Sequence, residues 1–297
     1  MKLLVTGAWH CSEEQVTALR EMGHDIIFQQ REQDELPCAA AEIEGVICNG
    51  LFLYHDIGEF KKLRFIQLTS AGLDRVPLDY IESHGIKVYN ARGVYSVPMA
   101  EFAVGGVLGL YKKSRVFYEN QKLKKWEKQR DLLELNGKTV LIVGCGSVGT
   151  ECAKRFKAFD CNVWGIDLFP YESEYFSEIA GLNGLDGKLP QADVVVLTLP
   201  LTEETKGLFG SERFGKMKDG AVLVNISRGA VVNESALVNA LDTKLFGAVL
   251  DVFEEEPLSK ESALWEKENV IITPHNSFVS DGNNGRLEKL IMLNINK

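Results

Sequence analysis

The chain has no apolar run approaching the roughly 18 residues that a membrane-spanning helix needs, and no apolar leader precedes the first aliphatic segment at Lys2. Neither membrane insertion nor secretion is expected. It has no Cys-x-x-Cys pair. Cys11, Cys38, Cys48, Cys145, Cys152 and Cys161 stand apart, and His10 beside Cys11 supplies too few donors for a metal site. The cysteines read as reduced thiols of a cytoplasmic protein. Positive charge is in deficit, with a formal net charge of −9 and a pI near 5.2. That balance argues against a nucleic-acid or anionic-membrane partner, either of which needs a locally positive surface. The one basic stretch, residues 112–130, interleaves its lysines and arginines with Tyr118, Leu123, Trp126 and Glu127, as a solvated helix face or a subunit-contact arm would.

What is present is a chain of 297 residues, 45% of them hydrophobic, enough to build a large core in two domains. Up to about residue 90, short aliphatic runs (Lys2 to Thr6, Asp25 to Phe28, Gly45 to Cys48, Phe65 to Leu68, Ile86 to Tyr89) alternate with amphipathic stretches near Ser12 to Met22 and Leu78 to His84. A second series starts at Thr139 and continues through Val194 to Leu197, Ala221 to Asn225, Gly247 to Val252 and Val270 to Ile272. This alternation predicts an α/β protein with two doubly wound parallel-sheet domains and a cleft between them. Residues 1–95, completed by 276–297, are assigned to one domain and residues 96–275 to the other. Between the series, Pro98 to Arg115 is too apolar for a solvent-facing helix, so it is expected to be buried between domains or subunits.

The most specific local pattern is Val140-Leu141-Ile142-Val143-Gly144-Cys145-Gly146-Ser147-Val148-Gly149. Four aliphatic residues read as a buried strand, the glycines have GxGxxG spacing, and Thr150 to Ala158 reads as the helix that follows. In such a dinucleotide-binding turn Gly144 permits the tight bend, Gly146 lets backbone approach a pyrophosphate, and Gly149 lets helix and strand pack closely. Asn162 to Ile166 reads as the next strand. Asp167 at its end can accept hydrogen bonds from a ribose hydroxyl and would repel a 2′-phosphate, which favours NAD over NADP. The other glycine turn, Leu3 to Ala8, continues into Trp9-His10-Cys11 where further glycines would be needed, and reads as an ordinary strand and turn.

Ligands of an open parallel sheet meet the C-terminal ends of its strands. Ser227-Arg228-Gly229, Phe253-Glu254-Glu255-Glu256-Pro257 and Thr273-Pro274-His275 each follow an apolar run of the second series, so an arginine, a glutamate and a histidine reach one rim.

With those residues in view, the chain resembles the D-2-hydroxyacid dehydrogenase family. The matching pieces, in order, are Ser70 to Asp74, Asn90 to Gly93 with Met99 to Glu101, Gly144 to Gly149, Leu199 to Thr202 with Thr205, Asn225 to Gly229, Leu250 to Val252 with Glu256-Pro257, and Thr273 to His275. They run from about Gln67 onward; the first 65 residues match only in pattern. The resemblance implies a Rossmann cofactor domain, a flavodoxin-like substrate domain and hydride transfer between NAD(H) and a small D-2-hydroxyacid/2-oxoacid pair. It implies a catalytic set of Arg228, Glu256 and His275. Arg228 would hold the substrate carboxylate, joined by backbone N–H groups of Ala71 and Gly72, with Leu51 on the substrate side. His275 would be the general acid of reduction, and Glu256 would favour its imidazolium and fix its tautomer. Ser147 and Val148 would offer backbone to the pyrophosphate, Pro200, Thr205 and Ile226 would line the cofactor site, and Asp251 would approach the nicotinamide amide. A homodimer built on the cofactor domain is expected, with Pro98 to Arg115 at its centre.

The chain departs from the family pattern at Arg92, where many relatives have proline, and at Asp242 to Leu245, a glycine-free turn. It departs again at Asn276 to Ser280, where small residues are usual. Two other readings share the fold: a relative oxidising another small anion such as phosphite, and an NAD-sensing interaction protein. Formate is disfavoured because formate-specific relatives carry glutamine where Glu256 stands.

Overall fold

The computed structural model describes residues 1–296. The chain forms two compact units, Met1–Tyr95 with the segment from Ser280 onward, and Ser96–Val279.

The first unit contains β1 (Lys2–Thr6), β2 (Asp25–Gln29), β3 (Gly45–Cys48), β4 (Phe65–Leu68) and β5 (Lys87–Tyr89), all parallel in the order β2-β1-β3-β4-β5. This is the doubly wound order of flavodoxin-like folds. Helix α1 (Glu13–Glu21) starts with a capping box in which Ser12 and Gln15 exchange side-chain to backbone bonds, and α2 (Leu78–Ser83) precedes β5. β3 and β4 are buried along their whole length, which is why they read as unbroken aliphatic runs rather than alternating ones. The C-terminal helix (Asn283–Ile295) packs Leu287, Ile291 and Ile295 with Leu3, Val5 and Ile47. The glycine of the first turn is a packing requirement, since a Cβ on Gly7 would stand 2.3 Å from the Gln30 carbonyl oxygen.

The second unit begins with α3 (Ser96–Tyr111) and α4 (Ser114–Lys122). Its sheet comprises β6 (Thr139–Val143), β7 (Asn162–Ile166), β8 (Glu178–Ala180), β9 (Val194–Leu197), β10 (Val222–Asn225), β11 (Gly247–Leu250) and β12 (Val270–Ile272). The order is β12-β11-β10-β9-β6-β7-β8, every pair parallel. The chain order reverses between β6 and β9, the switch point at which such sheets bind ligands. Helix α5 (Ser147–Ala158) follows β6; α6 (Leu185–Lys188), α7 (Ser211–Lys216) and α8 (Glu234–Thr243) complete the crossovers.

Strand alternation sorts the core into two layers. Leu141, Val143, Val195, Leu197, Leu223 and Leu250 face one side with Phe214 and Leu237. Val140, Ile142, Val194, Val196, Val222, Val224 and Val249 face the other with Ala103 and Val107 of α3 and Ala153 and Phe156 of α5. Each such buried aliphatic side chain contributes about 1.5–3 kcal/mol.

Three expectations shift. Helix α3 packs on its own sheet, so close that a Cβ on Gly106 would lie 2.6 Å from Val249 Cγ1, and this contact accounts for much of its apolar character. The helix ends at Tyr111 rather than Arg115, because Lys113 adopts a left-handed conformation (φ 51°) before α4. The second unit extends to Val279, beyond the expected boundary at 275, since the Asp251 carboxylate holds the N–H groups of Asn276 and Ser277.

Candidate active site

The glycine turn is built as its spacing demands. Gly144 has φ 100°, and a Cβ there would meet Leu199 N at 2.7 Å; a Cβ on Gly149 would lie 2.0 Å from the Gly144 carbonyl oxygen. Gly146 is different. It precedes the first turn of α5 and a Cβ on it would stand in open space. The N–H groups of Ser147 and Val148 donate to no acceptor among the described residues. Two free donors, an uncrowded glycine and a helix N-terminus together suit a dinucleotide pyrophosphate.

Asp167, half-buried at the end of β7, has no ion-pair partner among the described residues. Its Oδ2 accepts the Cys145 N–H (2.7 Å) and its Oδ1 the Phe169 N–H (3.0 Å), which ties the strand end to the glycine turn. Each oxygen retains a lone pair for a ribose hydroxyl. Tyr171 donates its hydroxyl to the Cys145 carbonyl (2.6 Å) and lies 3.1 Å from Thr150 Oγ1. The sequence reading missed this brace, because nothing in the spacing links residue 171 back to residue 145. Burial pushes the Cys145 thiol up to about 12, so it is no nucleophile at neutral pH.

The other group gathers at the C-terminal ends of β10, β11 and β12. Asn225 organises the first loop: its Oδ1 accepts from Ser227 N (3.1 Å) and Ser227 Oγ (2.8 Å), and its Nδ2 donates to the Arg228 carbonyl (3.2 Å). Arg228 is exposed, spends Nη1 on the Ser227 carbonyl (2.8 Å), and has no carboxylate partner among the described residues. The next loop is pressed against this one, since a Cβ on Gly229 would fall 1.8 Å from the Phe253 carbonyl carbon.

Of the three consecutive acids after β11, Glu256 is the one hydrogen-bonded to the histidine: Oε2 lies 2.8 Å from His275 Nδ1, while Oε1 accepts the Phe253 N–H at 3.1 Å. A carboxylate at Nδ1 places the proton of the neutral ring there, which leaves Nε2 as the atom that gains and loses a proton. Nε2 makes no hydrogen bond among the described residues, and His275 is exposed. Phe278 stands edge-on to the imidazole, ring centroids 6.2 Å apart.

Several expected ligand residues turn inward instead. Asp251 is buried, and its carboxylate accepts from Thr273 Oγ1 (2.6 Å), Asn276 N (2.7 Å) and Ser277 N (2.9 Å), so it holds the histidine turn. The Thr205 hydroxyl donates to the Pro200 carbonyl (2.8 Å) and accepts the Thr202 N–H (2.7 Å). It shapes the loop that leaves Pro200 exposed, and Ile226 is part of the core. On the first unit, neither Ala71 nor Gly72 donates its N–H to an acceptor among the described residues. The Leu51 side chain is wholly buried there, and the exposed apolar residues of that turn are Leu53 and Tyr54. No group of three or more potential metal ligands occurs among the described residues.

Residues 104–277 match the family model of the D-isomer specific 2-hydroxyacid dehydrogenase, NAD binding domain. Over 282 residues the chain is 34% identical to the D-3-phosphoglycerate dehydrogenase of Archaeoglobus fulgidus, covering 93% of this chain and 53% of that protein. It is 34% identical to the hydroxypyruvate reductase of Thermotoga maritima over 84% of this chain and 83% of that one. The chain thus spans about half the length of the phosphoglycerate dehydrogenases it matches. The crystal structure of D-lactate dehydrogenase from Aquifex aeolicus with NAD and lactic acid superposes with a TM-score of 0.77 at 26% identity, covering 99% of this chain and 95% of that one. The glycine turn, the sheet order and these likenesses agree, and the chain belongs to the D-isomer specific 2-hydroxyacid dehydrogenase family.

Proposed function

We propose that the protein is an NAD-dependent oxidoreductase that interconverts a small 2-oxoacid and its D-2-hydroxyacid. The observation that carries this reading is the 2.8 Å bond from Glu256 to His275 Nδ1, which leaves Nε2 open at the end of the sheet that bears the glycine turn. NAD(H) supplies or accepts the hydride. Arg228, which pairs with no carboxylate among the described residues, holds the substrate carboxylate with its guanidinium fork and so orients the 2-oxo carbon. On the first unit, the N–H groups of Ala71 and Gly72, which meet no acceptor among the described residues, are assigned to carboxylate binding. His275 Nε2 donates a proton to the oxygen that becomes the hydroxyl and removes it in the reverse direction, with Glu256 compensating the imidazolium charge. Asp167 takes the adenosine ribose, which favours NADH. Phe169, 82% exposed beside it, offers an apolar surface to the nucleotide.

The reading extends to a homodimer through the second unit. Since α3 is largely covered by its own sheet, the apolar surface that supports it lies further on, at Tyr118, Leu123 and Trp126, the last 98% exposed. The free, mostly buried cysteines suit a reducing, cytoplasmic setting. Among the described residues no helix is long and apolar enough to cross a membrane.

The test is a panel of glyoxylate, pyruvate and hydroxypyruvate with NADH, followed by loss of NADH absorbance in the parent protein and in Arg228→Lys. The parent turns over at least one of them, and Arg228→Lys recovers little, because a point charge does not reproduce a two-pronged hold. Absence of turnover with the whole panel contradicts the assignment.

A further inference from the structure

Two acidic residues of the second unit lean on each other instead of on cations. Glu254 Oε1 accepts the Glu234 N–H at 2.7 Å, and Glu234 Oε1 accepts the Glu254 N–H at 2.6 Å, which closes a reciprocal ring between the first turn of α8 and the segment after β11. Among the described residues neither carboxylate has a lysine or arginine partner. Half of the arrangement is ordinary helix chemistry: the Glu254 carboxylate satisfies a first-turn N–H that has no intrahelical acceptor, where the helix dipole favours negative charge. The other half is costly. Glu234 is half-buried, and its carboxyl is pushed up chiefly by burial, against the pull of the Glu254 N–H.

The ring lies directly behind the Glu256 carboxylate in the chain of bonds. The Phe253–Glu254 peptide is packed against Gly229 on one side, where no Cβ could fit, and Glu234 grips its far end through the Glu254 N–H. Phe253 N–H in turn holds Glu256 Oε1, and Glu256 Oε2 meets His275 Nδ1. The position of the carboxylate against the imidazole therefore inherits the position of this peptide.

We propose that Glu234 and Glu254 are positioning residues, a mutual backbone clamp that fixes Glu256 against His275 and keeps the Glu256 loop in register with the Arg228 loop. The proposal rests on the assignment of His275 as proton donor and Arg228 as carboxylate binder. The clamp needs an acceptor oxygen at each position rather than a charge. Glutamine preserves it and alanine removes it.

The experiment compares Glu234→Ala, Glu254→Ala, Glu234→Gln and Glu254→Gln with the parent. It measures kcat and KM for the best 2-oxoacid of the panel, and NADH binding by fluorescence. Each alanine variant is expected to lower kcat about tenfold, the rate equivalent of one lost hydrogen bond. KM and NADH affinity should stay nearly unchanged, and both glutamine variants should restore kcat. Should Glu234→Ala fail to fold, Glu254→Ala at its exposed position carries the test. Parental kcat in Glu254→Ala overturns the clamp, as do glutamine variants as impaired as the alanine ones, or a loss that falls equally on NADH binding. Failure of the underlying assignment looks different: His275→Ala and Glu256→Gln themselves would then keep parental turnover.

Discussion

Asp251 holds His275 through main chain and side chain together. The Asp251 carbonyl accepts the His275 N–H at 2.8 Å, and its buried carboxylate binds the next two backbone N–H groups, Asn276 and Ser277. His275 has φ 51°, a left-handed conformation that costs an L-residue roughly 1–2 kcal/mol. The bonds from Asp251 account for its persistence, and they aim the imidazole at Glu256.

Asp251→Asn tests this directly. Asparagine puts an NH2 donor in place of one of the two acceptor oxygens, against either the Ser277 N–H or the Asn276 N–H and Thr273 hydroxyl, so the turn relaxes. The expected result is a fall in kcat for 2-oxoacid reduction of about 100-fold, the scale of a misplaced catalytic group. NADH binding, measured by fluorescence, should change little. A parental kcat contradicts the role.

The glycines of the turn separate into structural and ligand-facing positions. Gly149→Ala drives a Cβ to 2.0 Å from the Gly144 carbonyl oxygen and is expected to destabilise the protein by about 3 kcal/mol in thermal or urea unfolding. Gly146→Ala meets nothing within the protein, so its melting temperature should stay near the parent's while NADH affinity falls. If Gly146→Ala binds NADH as well as the parent, the pyrophosphate is not held at this turn.

Asp167 joins nucleotide choice to the geometry of the turn. The parent should use NADH far better than NADPH, since the 2′-phosphate would meet a carboxylate that has no ion-pair partner among the described residues. Asp167→Ala should narrow that preference mainly through loss of NADH affinity, because the variant also releases the Cys145 and Phe169 N–H groups. Equal kcat/KM for the two cofactors in the parent would count against Asp167 as the ribose ligand.

Much of this was legible in the chain. Buried parallel strands such as Val194–Leu197 and Val222–Asn225 announce themselves as unbroken aliphatic runs, and Gly144, Gly146 and Gly149 have a spacing that physical requirements fix. Strand β8 was missed: Glu178–Ala180 has three residues at a sheet edge, too few for a period. The direction in which a polar residue points was hidden as well. Asp251 and Thr205 carry ligand-like side chains at rim positions, yet each is consumed by backbone groups that only the folded loop brings to it. Leu51 lies at the end of β3 where a ligand residue would, but a short helical turn rotates it into the core. The Glu234–Glu254 ring joins residues 20 apart in sequence and has no motif.

The central claim is that a proton passes through His275 Nε2 under the influence of Glu256, and the pH dependence of both reaction directions measures it. Reduction consumes a proton held on Nε2 and should slow as pH rises; oxidation needs Nε2 free and should quicken. Glu256→Gln removes the carboxylate that holds Nδ1 and compensates the imidazolium charge, so both directions should slow while NADH affinity stays near the parent's. The same pH trend in both directions, or parental rates in Glu256→Gln, would contradict the account.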